Sequence, residues 1–310
     1  MARLKDLEVP KAERPFQEVY FTSRDGLRLH ARHYPAPGSP RRTLLCLPGL
    51  TRNARDFERL ATLFSSPAAH RRTVYCLDYR GRGRSEYDEK WENYTPYIEA
   101  LDVLDFLTQF GLHDVAVLGT SRGGIIAMLL ATLRPTSVHC AILNDIGPAI
   151  EADGLARIIG YVGRIPAPTD WEEAMRLVRD MNKRDFPNLP DSEWRAIARQ
   201  WFNDSHGAPI SSYDPNLGKA ITNVDLGDGP PDMWPQFAAL SNKPVLTIRG
   251  KNSDILSRGT VKKMGQEHPA METHEVLDQG HAPFLRDDVT LAVIQEFLMR
   301  HDQIPAGPFG

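Results

Sequence analysis

Residues 115–133 read VAVLGTSRGGIIAMLLATL, and the fold turns on this stretch. Val115 to Leu118 is a short apolar run of the kind that forms a buried strand. Gly119-Thr120-Ser121-Arg122-Gly123 follows as a complete G-x-S-x-G, and Gly124 to Leu133 is apolar and compatible with a helix. Small residues two before and two after the serine let the chain bend sharply without colliding with its neighbours. A strand–turn–helix of this kind presents Ser121 at a helix N-terminus, where backbone N–H groups and the helix dipole favour a developing oxyanion.

Working outward, similar apolar runs alternate with helical patterns, the signature of a largely parallel sheet covered by helices. Glu18 to Ser23 and Leu27 to Tyr34 flank Asp25-Gly26, a hairpin signal. Thr43 to Leu47, Thr73 to Leu77, Cys140 to Leu143, Val245 to Ile248 and Thr273 to Leu277 read as further strands. Helical spacing predicts helices over Ala54 to Phe64, Thr95 to Phe110 (ended by Gly111) and Val289 to His301. Gly147 to Asn242 breaks the rhythm: it carries helical patterns at Glu172 to Met181 and Ser192 to Phe202, many Pro and Trp residues, and no convincing buried strand. Residues 1–146 and 243–310 are therefore expected to form the α/β core, and 147–242 a helical cap inserted between sheet strands. The Gly/Pro-rich tail Ile304 to Gly310 is expected to fray.

Composition narrows the function classes. With 37 Lys plus Arg against 40 Asp plus Glu, the net charge of −3 gives no global attraction to nucleic acid or an anionic membrane. Residues 1–16 mix both charge signs without an apolar core, unlike a secretory signal, and no apolar run approaches a membrane span. Cys46, Cys76 and Cys140 sit inside apolar runs without the close Cys/His spacing of a zinc site, and read as small buried hydrophobes. A cytoplasmic monomer or homodimer acting on a small molecule is the expectation, with no cofactor or metal.

A serine needs a base, and His281 in Asp278-Gln279-Gly280-His281-Ala282-Pro283-Phe284 is the best placed of ten histidines, on the loop between the last strand and the final helix. A carboxylate should orient the imidazole. Asp254, in the loop after Val245 to Ile248, is the preferred candidate, and Asp145, directly after Cys140 to Leu143, is the alternative. The amides of Arg122 and of Leu50, in Leu47-Pro48-Gly49-Leu50-Thr51, are the expected oxyanion donors. Asp78-Tyr79-Arg80-Gly81-Arg82-Gly83-Arg84-Ser85 lacks the G-K-[ST] of a phosphate loop and reads as a Gly-rich loop with its charges solvated or paired. The aromatics of 147–242 either line an acyl pocket or pack the cap's own core.

Together these motifs resemble the α/β-hydrolase superfamily, in particular its capped bacterial serine-hydrolase branch. Pro48-Gly49-Leu50 stands at the place of the usual His-Gly-x, and Arg249-Gly250 with Ser253-Asp254 and Gly280-His281 with Pro283-Phe284 match as well. The resemblance implies an eight-stranded, mostly parallel sheet with a cap between the sixth and seventh strands, and cofactor-free hydrolysis through an acyl-enzyme. The histidine that often braces the oxyanion loop is missing before Gly49. A serine at 121 disfavours the haloalkane dehalogenases and epoxide hydrolases of this fold, which use aspartate there. Cleavage of a small carboxylic ester or lactone is the leading expectation. Hydrolysis of a C–C bond in a ring-fission diketone by the same triad, and a non-catalytic ligand receptor on the same scaffold, are the alternatives.

Overall fold

The computed structural model describes residues 15–67, 71–223 and 230–301; the tail Ile304 to Gly310 and most of the charged N-terminal segment lie outside them. Eight strands form one sheet: β1 (Gln17–Thr22), β2 (Arg28–Tyr34), β3 (Leu44–Leu47), β4 (Val74–Asp78), β5 (Val115–Thr120), β6 (Val138–Asn144), β9 (Val245–Gly250) and β10 (Glu272–Val276). Their order is β1-β2-β4-β3-β5-β6-β9-β10. Only the β1–β2 and β2–β4 pairings are antiparallel. The other five are parallel, as the alternating pattern predicts.

Side-chain alternation explains why the central strands read as unbroken apolar runs. Leu45 and Leu47 of β3 and Val115 and Val117 of β5 enter one core cluster, while Leu44, Cys46, Ala116 and Leu118 enter another on the opposite face. Both faces are covered, so neither needs polar residues. One face takes α2 (Pro96–Gln109) and α3 (Arg122–Leu133), and the other takes α1 (Glu58–Ser65) and α10 (Asp288–His301). Helix α2 begins cleanly because Thr95 Oγ1 accepts from the Ile98 amide and Pro96 occupies the first helical position. The three cysteines are free thiols buried in β3, β4 and β6, and burial pushes Cys140 up to about 12.

After β6 the chain leaves the sheet and returns at β9. In between lie α4 (Ala152–Tyr161), α5 (Trp171–Asn182), α6 (Asp191–Trp201), α7 (Leu217–Thr222), α8 (Trp234–Ala238) and a hairpin of β7 (Phe202–Ser205) and β8 (Ala208–Ser211). That hairpin departs from the all-helical expectation. His206 and Gly207 both take positive φ, 51° and 90°, the tight two-residue turn that suits paired strands. Helices α5 and α6 share a cluster of their own, with Val178, Phe186 and Trp194 at its centre. Ile158 of α4, Leu217 of α7 and Phe237 of α8 instead join the main core. Helix α9 (Arg258–Glu267), capped by Ser257, completes the sheet's covering.

The Gly-rich loop after β4 is buried rather than solvated. Arg80 pairs with Asp25, Asp88 and Asp102, and the fully buried Arg82 pairs with the fully buried Glu99 of α2 at 2.7 Å. Arg122 reaches the same Glu99 carboxylate from the other side, at 3.4 Å. A buried ion pair costs desolvation when formed but far more when halved. Glu99→Ala leaves two guanidinium groups facing each other in the core, so it is expected to lower stability by about 3–5 kcal/mol, read by chemical denaturation. The hydrogen bond from Arg80 holds the Asp25 carboxyl down at about 2, below its usual 3.8. The unfolded chain therefore binds the extra proton first, and this contribution is complete above about pH 4 and fades as pH falls toward 2. Asp25→Asn should flatten the melting temperature's dependence on pH across that window.

Candidate active site

The bend between β5 and α3 leaves no room for side chains. A Cβ on Gly119 would lie 2.3 Å from the Gly123 backbone, and one on Gly123 would lie 2.0 Å from the Leu47 carbonyl oxygen. Ser121 itself sits at φ 51°, ψ −113°, a conformation a non-glycine residue adopts only when its surroundings impose it. The impositions are visible. The Ser121 amide donates to the Asn144 carbonyl at 2.9 Å, and its own carbonyl accepts from the amides of Gly124 and Ile125.

Parallel strands bring their C-terminal ends to one edge, so Asp145 arrives from the neighbouring β6 and His281 from the loop after β10, at the far end of the sheet. The His281 ring stands with Nε2 2.8 Å from Ser121 Oγ and Nδ1 2.8 Å from Asp145 Oδ2. An ionised Asp145 only accepts, so Nδ1 carries the proton and Nε2 is left to accept from the serine hydroxyl. Asp145 is fully buried, and the Gly250 amide (2.7 Å) and Ser253 Oγ (2.5 Å) also donate to it. These donors compensate its burial and aim one oxygen at the ring.

Asp254, the preferred acid from the sequence, is not the carboxylate that meets the His281 ring. Both its oxygens are taken by Arg157 of α4, at 2.6 and 2.8 Å. Burial pushes its pKa up, but the Arg157 hydrogen bonds and charge outweigh this and hold it low. The physical reason is steric as well as electrostatic. The turn after β9 swings residue 254 against α4, so tightly that a Cβ on Gly154 would lie 2.1 Å from the Asp254 carbonyl oxygen. Asp145, the alternative, lies one residue past β6 and is held in place by the end of β9, through its amide's bond to the Ile248 carbonyl.

Further residues belong to the frame. Asn144, fully buried and missed in the sequence, donates from Nδ2 to Thr120 Oγ1 (3.0 Å) and to the Pro283 carbonyl (2.9 Å), tying the serine's strand to the histidine's loop. Its signal was its place beside Asp145 at the end of an apolar run. Arg82 and Tyr79 hold the loop after β3 at two carbonyls. Arg82 Nε donates to the Leu50 carbonyl at 2.9 Å, while Tyr79 Oη donates to the Pro48 carbonyl at 3.2 Å. Both peptides are thus gripped from behind, on the oxygen side. The Arg122 amide opens α3, where first-turn N–H groups have no acceptor within the helix. The Arg122 side chain turns to the Glu99 carboxylate and the Tyr94 carbonyl.

Two cavities meet at Ser121. One, of about 90 Å³, is lined by His281 together with Arg52, Arg157, Asn182 and Gln200. The other, of about 250 Å³, is lined by Arg122 and by isoleucines, among them Ile125, Ile146, Ile150 and Ile221. Leu50 and Ile158 belong to both. Trp201 lines the cavity beside His281 and Trp194 packs inside the α5–α6 cluster, so among the described residues Tyr94 is the one aromatic beside the isoleucines of the other cavity. Among the described residues no group of His, Cys, Asp and Glu is arranged to hold a metal ion, and no helix is long and apolar enough to cross a membrane.

Known proteins share this architecture. A 3-hydroxybutyrate-oligomer hydrolase of Cupriavidus necator is 31% identical over 278 residues, 87% of this chain and 93% of that protein. A 2-(acetamidomethylene)succinate hydrolase of Mesorhizobium japonicum is 24% identical, over 82% of this chain and 87% of that one. The crystal structure of an alpha/beta hydrolase from Novosphingobium aromaticivorans superposes with a TM-score of 0.86 at 37% identity, covering 93% of this chain and all of that one. Residues 44–293 match the alpha/beta hydrolase family, and by that match and these relatives the chain belongs to it.

Proposed function

We propose that the protein is a serine hydrolase cleaving a small carboxylic ester through an acyl-enzyme on Ser121. The observation that carries this reading is the unbroken contact from Ser121 Oγ through the His281 ring to Asp145, 2.8 Å at each step. In this reading His281 Nε2 takes the serine proton as Oγ attacks the carbonyl carbon. The amides of Leu50 and Arg122 receive the oxyanion. The proton passes to the leaving oxygen, the C–O bond breaks, and water activated by the same nitrogen releases the acid. Asp145 holds the tautomer and stabilises the imidazolium, the role first given to Asp254. Residues 147–242 act as a cap over the two cavities. The ester class gains support from the Cupriavidus relative, whose name denotes an oligoester hydrolase.

The test is turnover of short esters, lactones and a vinylogous 1,5-diketone by the wild type and three variants. Ser121→Ala should lose on the order of 10⁴-fold or more in kcat/KM and all labelling by a fluorophosphonate. Asp145→Asn should lose about 10³–10⁴-fold in kcat through the wrong imidazole tautomer, while Asp254→Asn keeps kcat within a few-fold. Equal losses at 145 and 254 would overturn the assignment of the acid, and preferential cleavage of the diketone would overturn the ester.

A further inference from the structure

We infer that the two cavities divide the substrate in a fixed direction: the acyl chain enters the isoleucine-lined cavity and the leaving alcohol the polar one. The assignment rests on the acyl-transfer reading above and follows from which catalytic group faces which space. His281 lines the polar cavity and not the apolar one, whereas Arg122, whose amide meets the oxyanion, lines the apolar one. In acylation the Ser121 Oγ–carbon bond forms, the carbon–alkoxy bond breaks, and the serine proton moves through His281 Nε2 to the departing oxygen. That oxygen must therefore leave on the His281 side. Water enters by the same side, its proton passes to Nε2, and the carbon–Oγ bond breaks to give the acid and free serine. Ester plus water become acid plus alcohol, with nothing else consumed.

Size and polarity then name the substrate class. The isoleucine-lined cavity is the roomier of the two, about 250 Å³ against about 90 Å³. Ile125, Ile146, Ile150 and Ile221 offer a fatty chain dispersion contacts and no hydrogen bond. Arg52, Arg157, Asn182 and Gln200 line the His281 side beside Phe57, Met181, Trp201, Phe284 and Leu285, so that cavity is mixed in character where the isoleucine-lined one is almost wholly apolar. The guanidinium groups of Arg52 and Arg157 are each paired with a carboxylate, Asp56 and Asp254. The structure assigns the enzyme to esters whose aliphatic chain lies on the acyl side and whose alcohol carries a hydrogen-bonding group.

A pair of isomers isolates direction from bulk hydrophobicity: 2-hydroxyethyl hexanoate carries the chain on the acyl side, and hexyl glycolate carries it on the alcohol side. The wild type should favour the first by at least about tenfold in kcat/KM, the discrimination a few methylenes give in an apolar pocket. Ile221→Phe, on α7, and Ile125→Phe, on α3, should each bring that ratio toward one, with the folding of each variant checked by thermal denaturation. Equal or faster turnover of hexyl glycolate, or ratios unmoved in both folded variants, would overturn the assignment. Failure to cleave either isomer with Ser121 still labelled by a fluorophosphonate would overturn the substrate class and leave the nucleophile standing. Absent labelling would overturn the nucleophile itself.

Discussion

A collision that must be avoided governs this molecule. The backbone of β5 runs into that of α3 at Ser121, and at positions 119 and 123 a single methyl group would overlap main-chain atoms. Main-chain overlap has no soft partner that can swing aside, so the two glycines are fixed by geometry rather than by preference. Once they hold, the serine is forced to positive φ, its amide is committed to the Asn144 carbonyl, and β5 and β6 are locked in register at their ends. That lock sets Asp145 beside the serine, and the fully buried Asn144 draws in the loop carrying His281.

Much of this was legible in the sequence, because the central strands are buried on both faces and their apolar runs leave little ambiguity. Ser121 and His281 were readable for a related reason: each occupies a loop whose flanking glycines make sense only in a tight approach. Gly280, for instance, would place a Cβ 2.4 Å from Asp185. Choosing between two acids was a different kind of problem. Both follow strands and both lie near the right edge, and what separates them is Arg157, an ion-pair partner on an inserted helix that sequence spacing does not connect to position 254. Helix α9 escaped notice because its residues are mostly polar, and its start is marked chiefly by the Ser257 side chain. The β7–β8 hairpin escaped because Phe202 to Ser205 is too short and polar to read as a strand.

The loop after β4 reads in sequence as a Gly-rich loop with its charges solvated or paired, and the structure chooses pairing. Arg80 and Arg82 are buried among carboxylates and aromatic faces, while Arg84 stays half exposed. Glycine supplies the reason. At Gly83 a Cβ would overlap the Asp78 carboxylate, and at Gly81 the Tyr94 ring, so the chain passes close enough to both for the guanidinium groups to reach inward. Arg82 then meets three neighbours at once: the Leu50 carbonyl, the Glu99 carboxylate and the Arg80 carbonyl. Such a cluster contributes little net stability compared with a greasy substitute, and its use lies in fixing one arrangement over others.

The same loop is also sewn to the inserted segment. The Gly83 amide donates to the Ser212 carbonyl, the Asp214 amide to the Gly81 carbonyl, and Tyr94 Oη to the Asp214 carboxylate. One margin of the inserted segment is thereby riveted to the loop after β4, twice through main-chain bonds and once through the Tyr94 and Asp214 side chains. Ile146 of the aliphatic chamber is itself part of the masonry around the serine, since a Cβ on Gly124 would lie 2.2 Å from its Cγ2. Reshaping the chamber at that position therefore presses directly on the bend that carries the serine.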